Sequence, residues 1–291
     1  MRVELRFTLL LLLMLACSLA IPRHALAHHV PGHSGSEGVR NINSLGNRGG
    51  KAASRLLVLE DFGWAASTAT PGLRNELSLL GEYAPVPVFS FGVQAPLLIV
   101  DEAERPPMVG YGDTRAFIRV TPHADKLVHR VVTLNLSASF PTRTVRLAVD
   151  PGRVWSATPS VIFTRTYADW YWQAIGLATI ETRPAGIALD MSAGGQAGGR
   201  LADNALALGG GIVVDVRAAN FCASPDGGLA YCHESRAGER AREVGSVRAT
   251  AIANGSLTVH PRVLLLFGIQ VPFAAKRDAD LGLTLGVQAL F

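Results

Sequence analysis

The last twelve residues constrain this chain more than any other stretch. From Asp280 to Phe291, Leu281, Leu283, Leu285, Val287, Ala289 and Phe291 recur at a period of two. Asp280, Gly282, Thr284, Gly286 and Gln288 fill the alternate positions, with Leu290 out of pattern. Side chains alternate across a strand and return every 3.6 residues on a helix, so this is a strand. A tilted strand of about 9 to 11 residues, with one lipid-compatible face and one small or polar face, can cross the roughly 30 Å hydrocarbon layer of a membrane. The edge strand of a soluble sandwich would show the same period, so the rest of the chain has to decide.

The other end supplies an address. Arg2 and Arg6 precede an apolar run from Phe7 to Ile21 and then Ala25-Leu26-Ala27. A charged start, a short apolar core and a small-x-small site describe a secretory signal peptide over 1–27, with His28 as the first mature residue. Cys17 offers a lipoprotein alternative, but Met14-Leu15-Ala16 matches a lipidation box poorly. No later run reaches the 18 apolar residues of a membrane helix, so a membrane-spanning mature chain must be a barrel. Removal of residues 1–27 leaves 24 basic against 22 acidic side chains, a balance that gives no reason to expect a nucleic-acid partner. A composition 48% hydrophobic, with 30 glycines and only 17% charged residues, suits a protein whose outside faces lipid.

Residues 28–54 are rich in Gly, Ser, Asn and His without apolar periodicity, which predicts a flexible periplasmic arm. Its His28, His29 and His33 are candidate ligands for a divalent metal, although nothing fixes a geometry or a fourth donor. No other cofactor is expected.

From Arg55 onward the chain alternates between strand patterns and turns, so residues 55–291 are expected to form an all-β, antiparallel, up-and-down transmembrane barrel. Strands are expected over 55–66, 76–84, 86–96, 112–120, 127–140, 155–167, 170–182, 204–217, 246–258, 262–271 and 280–291. Within 112–120, Thr114, Ala116, Ile118 and Val120 oppose Asp113, Arg115, Phe117 and Arg119. An Arg near the membrane midplane on the lipid side costs about 2–4 kcal/mol, so the charged face should line a lumen. Asp215 and Arg217 are placed there by the same argument. Tyr167, Trp170, Tyr171 and Trp172 gather at one turn, as an interfacial aromatic girdle requires. Cys222 and Cys232 flank Ser224-Pro225-Asp226-Gly227-Gly228, and a disulfide across that hairpin would pin it. Counting the cysteine hairpin as one more strand brings these eleven segments to twelve; a barrel of ten strands is the alternative. Residues 183–203 are then read as a long outer connection. Phe91-Gly92-Val93-Gln94-Ala95-Pro96 also recurs as Phe267-Gly268-Ile269-Gln270-Val271-Pro272.

The stretch from Glu76 to Phe291 resembles an outer-membrane barrel family related to the transporters of the MetA pathway of phenol degradation. The resemblance rests on Gly110-Tyr111-Gly112-Asp113 before a strand, Ser139-Phe140-Pro141-Thr142 at a strand end, the two Phe-Gly-x-Gln-x-Pro runs and the terminal Phe291. It implies a passive channel for small molecules in the Gram-negative outer membrane, with hydrophobic or aromatic solutes as cargo. It also implies outer-membrane lipid and the barrel-insertion machinery, the latter through Phe291, as partners. Two other classes are weighed beside it. An arm that binds metal or a partner would make the barrel an anchor. A hydrolase would need a nucleophile beside His123, His129, His260 or the His233–Glu234 pair, and no such motif accompanies them.

Overall fold

The computed structural model describes residues 52–65, 72–102, 106–124, 130–145, 154–183, 186–202, 205–223, 228–231, 244–273 and 281–291. Twelve antiparallel strands close into a ring: β1 (Arg55–Ala65), β2 (Gly72–Val86), β3 (Phe89–Glu102), β5 (Thr114–Ala124), β6 (Arg130–Phe140), β7 (Trp155–Thr166), β8 (Trp170–Arg183), β9 (Gly186–Leu201), β10 (Leu206–Ala223), β12 (Val247–His260), β13 (Val263–Pro272) and β14 (Leu281–Leu290). Each pairs with its sequence neighbour, and the last strand seals the ring against the first from Arg55↔Leu290 to Trp64↔Leu281. Two short strands lie off the ring: β4 (Met108–Tyr111) pairs with β3, and β11 (Leu229–Tyr231) pairs with β10. Closure leaves no unpaired edge, the condition under which a sheet can stand in lipid.

The twelve strands are as expected, but the twelfth is not the cysteine hairpin. It is β9, which occupies the stretch expected to be an outer connection, 183–203, and pairs with β8 and β10 along its whole length. This correction reverses the direction of β10. The strand starts at the rim that holds the chain ends and delivers Cys222 to the opposite rim. Cys232 lies outside the described residues.

The rim carrying Ser54 and Phe291 is called here the near rim. Its connections are short: two residues between β2 and β3, three between β7 and β8, two between β12 and β13. On the far rim the link between β6 and β7 runs over 141–154 and that between β10 and β12 over 224–246, with β11 within the second. The far-rim turn between β8 and β9 is the exception, only two residues long. Gly186 ends it at φ 151°, and a side chain there would strike the Phe221 carbonyl, so only glycine fits.

Alternation sorts the side chains. Every ring strand contributes exposed large apolar residues, among them Leu79, Phe91, Leu134, Val161, Ile212 and Ile269, each more than two-fifths exposed. A water-soluble protein does not leave an apolar belt of this extent bare. A polar pair interrupts the belt: Asn75 Nδ2 donates to Glu60 Oε1 at 2.8 Å on outward positions of β2 and β1, both side chains being buried. Aromatic pairs mark the two edges of the belt. Near the chain ends, Tyr167 stacks on Trp170 with centroids 4.0 Å apart, Arg165 lies over Tyr167, and Tyr83 meets Phe91 edge-on. At the far rim, Phe140 meets Trp155 and Phe221 meets Tyr231.

Candidate functional site

The inward positions hold the polar chemistry of the chain. Near the chain ends four strands converge on one carboxylate, Glu82 of β2. Arg55 of β1 donates Nε–H to Glu82 Oε2 at 2.6 Å, and Ser90 of β3 donates its hydroxyl to Oε1 at 2.6 Å. Arg119 of β5 reaches Oε1 and Oε2 from Nη1 alone, at 3.0 and 3.1 Å. All four side chains are buried. The Arg119 guanidinium also sits 5.5 Å from the Phe117 ring centroid, within cation–π range.

Residues 52–54 of the expected arm are described. Ala52 is buried and its N–H donates to Thr121 Oγ1 of β5 at 3.2 Å, which carries the chain across the mouth past β2 and β3. His28, His29 and His33 lie outside the described residues. Among the described residues no group of His, Cys, Asp or Glu side chains could hold a metal ion.

Asp215 and Arg217 belong to a second polar cluster, on β9 and β10 towards the far rim. Arg217 Nε lies 2.8 Å from Asp190 Oδ1, and its Nη1 donates to Asn220 Oδ1 at 3.1 Å. Ser192 donates its hydroxyl to Asp215. A ladder of amides continues towards the chain ends: Asn254 Nδ2 donates to Gln196 Oε1 at 2.6 Å, and Gln196 Nε2 to Gln173 Oε1 at 2.5 Å.

The remaining two expected lumen residues fall elsewhere. Asp113 was expected within a strand, but β5 begins at Thr114, so Asp113 caps the far rim and accepts from Arg143 N–H at 3.1 Å. Arg115 lies beside it, and with Glu76 and Arg143 they border a cavity of about 10 Å³, room for about one water. The five residues are therefore divided among three places rather than one ring.

Two runs 30 residues apart in sequence are knotted at this rim. Tyr111 N–H donates to Thr144 Oγ1 at 2.9 Å, Thr114 N–H to Thr142 Oγ1 at 2.8 Å, and the Thr142 hydroxyl to the Gly112 carbonyl at 3.1 Å. Gly110 packs so tightly on Thr144 and Val145 that a Cβ would clash. The Gly-Tyr-Gly-Asp and Phe-Pro-Thr runs thus act as one fastening. The Phe-Gly-x-Gln-x-Pro echo also has a structural basis. Gln94 donates its amide to Ser78 at 2.9 Å and Gln270 donates to Thr284 at 3.2 Å, the same inward bond to a neighbouring strand.

Apolar groups also face inward, in two patches. Leu57, Leu59, Leu80, Leu264 and Leu266 pack together on β1, β2 and β13, with Phe117 against them. Ile162, Ile175, Leu177, Val213 and Ile252 form the other patch on β7, β8, β10 and β12, across the ring. Neither patch was anticipated, because inward leucines on otherwise polar faces read as breaks in the alternation. His123 and His260, weighed above as parts of a hydrolase, are exposed at the near-rim ends of β5 and β12, on opposite sides of the ring.

No protein-family model matches the chain, and no curated protein matches it in sequence. Solved structures do match in shape. The COG4313 outer membrane channel from Pseudomonas putida F1 superposes with a TM-score of 0.57 at 14% identity, over 82% of this chain and 96% of that one. The fold is that of an outer-membrane barrel. The KdgM porin (TM-score 0.48, 8% identity, 81% of this chain and 99% of that one) and the NalP translocator domain from Neisseria meningitidis (0.46, 11%, 89% and 96%) are more distant in shape.

Proposed function

We propose that this chain is an outer-membrane channel that passes small solutes through the barrel interior, with the near rim in the periplasm. The observation that carries the reading is the division of side chains between the two faces of one closed sheet. Exposed apolar residues ring the outside, while Glu82, Arg119, Asp190, Asp215 and Arg217 face inward. Charged groups on an inner face behind a lipid-compatible belt suit a wet passage, because their exposure to hydrocarbon would be costly. The short near-rim turns favour the orientation, since barrels of this class keep short turns on the periplasmic side.

The finer reading is a preference for hydrophobic or aromatic solutes. It draws on the motif resemblance and on the two apolar patches that face each other across the interior. A solute with an apolar body could exchange contacts between these walls while polar groups line the rest of the way.

Single-channel recording of the refolded mature protein in planar bilayers tests the proposal, with residues 28–51 present and deleted. Discrete conducting steps are expected, with larger steps after deletion if the segment that enters past Ala52 narrows the mouth. Silence from both forms, each shown to be folded by heat-modifiable migration, would overturn the channel reading.

A further inference from the structure

We infer that Arg119 is a binding site for the carboxylate of a small organic anion, at the near-rim mouth of the passage. The inference rests on the channel reading and adds to it a solute class and the residue that selects it.

The geometry of one guanidinium carries the argument. Both bonds from Arg119 to Glu82 leave from Nη1. The opposite edge of a guanidinium, formed by Nε and Nη2, is a fork whose two parallel N–H groups match the two oxygens of a carboxylate. In Arg119 that edge is not used by Glu82, and its Nε is buried with no hydrogen-bond partner. A buried donor left unpaired costs about 1–3 kcal/mol, so a site that keeps one is poised for a ligand that would satisfy it. The residue is only 5% exposed, and its guanidinium is held by Glu82 and lies against the Phe117 ring. A flexible surface arginine would have to be ordered on binding, whereas this one is already ordered.

The neighbours narrow the ligand. Glu82 is shared by two guanidiniums, so Arg119 has the guanidinium of Arg55 close by. Two guanidiniums held side by side favour an anionic ligand over a cationic one. Phe117 belongs at once to this charged cluster and to the leucine patch of β1, β2 and β13. A ligand whose carboxylate meets the Arg119 fork therefore has an apolar wall beside it for an aryl or alkyl body. Inorganic anions use the fork alone, and organic carboxylates use both.

Planar-bilayer recording across a KCl gradient tests this, with benzoate and inorganic phosphate as probes and wild type, Arg119→Lys and Arg119→Gln as proteins. The reversal potential of the wild type should show anion selectivity, and benzoate should reduce the chloride current. Arg119→Lys keeps the charge and loses the fork, so benzoate should act about tenfold more weakly, the equivalent of about 1.4 kcal/mol. Arg119→Gln should lose both the block and much of the anion selectivity. Should neither variant refold, the wild type alone decides, through its reversal potential and its response to benzoate. A conducting but cation-selective channel, or one blocked equally in wild type and Arg119→Gln, overturns this inference and leaves the channel reading standing. Equal block by phosphate and benzoate overturns the assignment to organic carboxylates. Folded protein that never conducts removes the channel reading and this inference with it.

Discussion

Two walls of the same barrel are built on opposite plans. The wall of β1, β2, β3 and β5 fills its inner face with long side chains, a leucine patch around Phe117 and a charged group tied together on Glu82. The wall of β9 and β10 is bare by comparison. Gly194, Gly198, Gly209 and Gly211 face inward there, and Tyr171 of β8 lies in the hollow left by Gly198 and Gly209. Asp190 pairs there with Arg217, and Ser192 donates to Asp215, both across the seam between β9 and β10. One wall is held by ionic links that span four strands, the other by backbones that approach where no side chain intervenes. Each wall should therefore fail at a different kind of substitution.

The largest effect should come from Glu82→Gln. It removes the one carboxylate that Arg55 and Arg119 share, and breaking a buried charge pair from one side costs about 3–5 kcal/mol. Urea unfolding of the refolded barrel, followed by tryptophan fluorescence, should show this loss. Gly211→Ala should follow on the other wall. A Cβ there would meet the Gly195 carbonyl and the backbone of Gln196, atoms that cannot step aside, and such overpacking costs about 1–3 kcal/mol. The same denaturation series would check it.

Asp190→Asn should be milder than its counterpart on the charged wall, about 1 kcal/mol, because an amide oxygen still accepts and Arg217 keeps Asn220. If Asp190→Asn were as damaging as Glu82→Gln, the contrast between the two walls would collapse. Gly81→Ala marks the floor of the scale. No atom lies within 4 Å of the position of its Cβ, so a change within about 0.5 kcal/mol is expected. A large loss at Gly81 would mean that glycine matters for something other than room.

The same contrast explains what the sequence made legible. Strands such as β6 and β14 alternate bulky apolar with small or polar residues, and their faces could be assigned from the residues alone. β9 could not, because after Met191 its outward positions shrink to Ala193, Gly195, Ala197 and Gly199. Glycine and alanine carry almost no periodic signal, and a run such as Gly194-Gly195 reads as a turn. The strand exists because β8 and β10 offer it partners on both edges, a tertiary cause invisible in its own composition. The site was legible in part for a similar reason. Arg119 stood out as a charge on an alternating strand, but Glu82 and Arg55 did not, since the first two strands had weak periodicity. That three strands deliver two guanidiniums and a hydroxyl to one carboxylate is a matter of register, Arg55↔Glu82 on one side and Ser90↔Arg119 on the other.

The central claim is that one closed sheet shows lipid an apolar outside and water a polar inside. Spin labels placed singly at Leu134 and Leu136, and at Asn135 and Ser137, in liposome-reconstituted protein test it on a single strand. Positions 134 and 136 should be relaxed by oxygen, which partitions into lipid, and positions 135 and 137 by a water-soluble nickel complex. Equal exposure of all four positions to the nickel complex would contradict it.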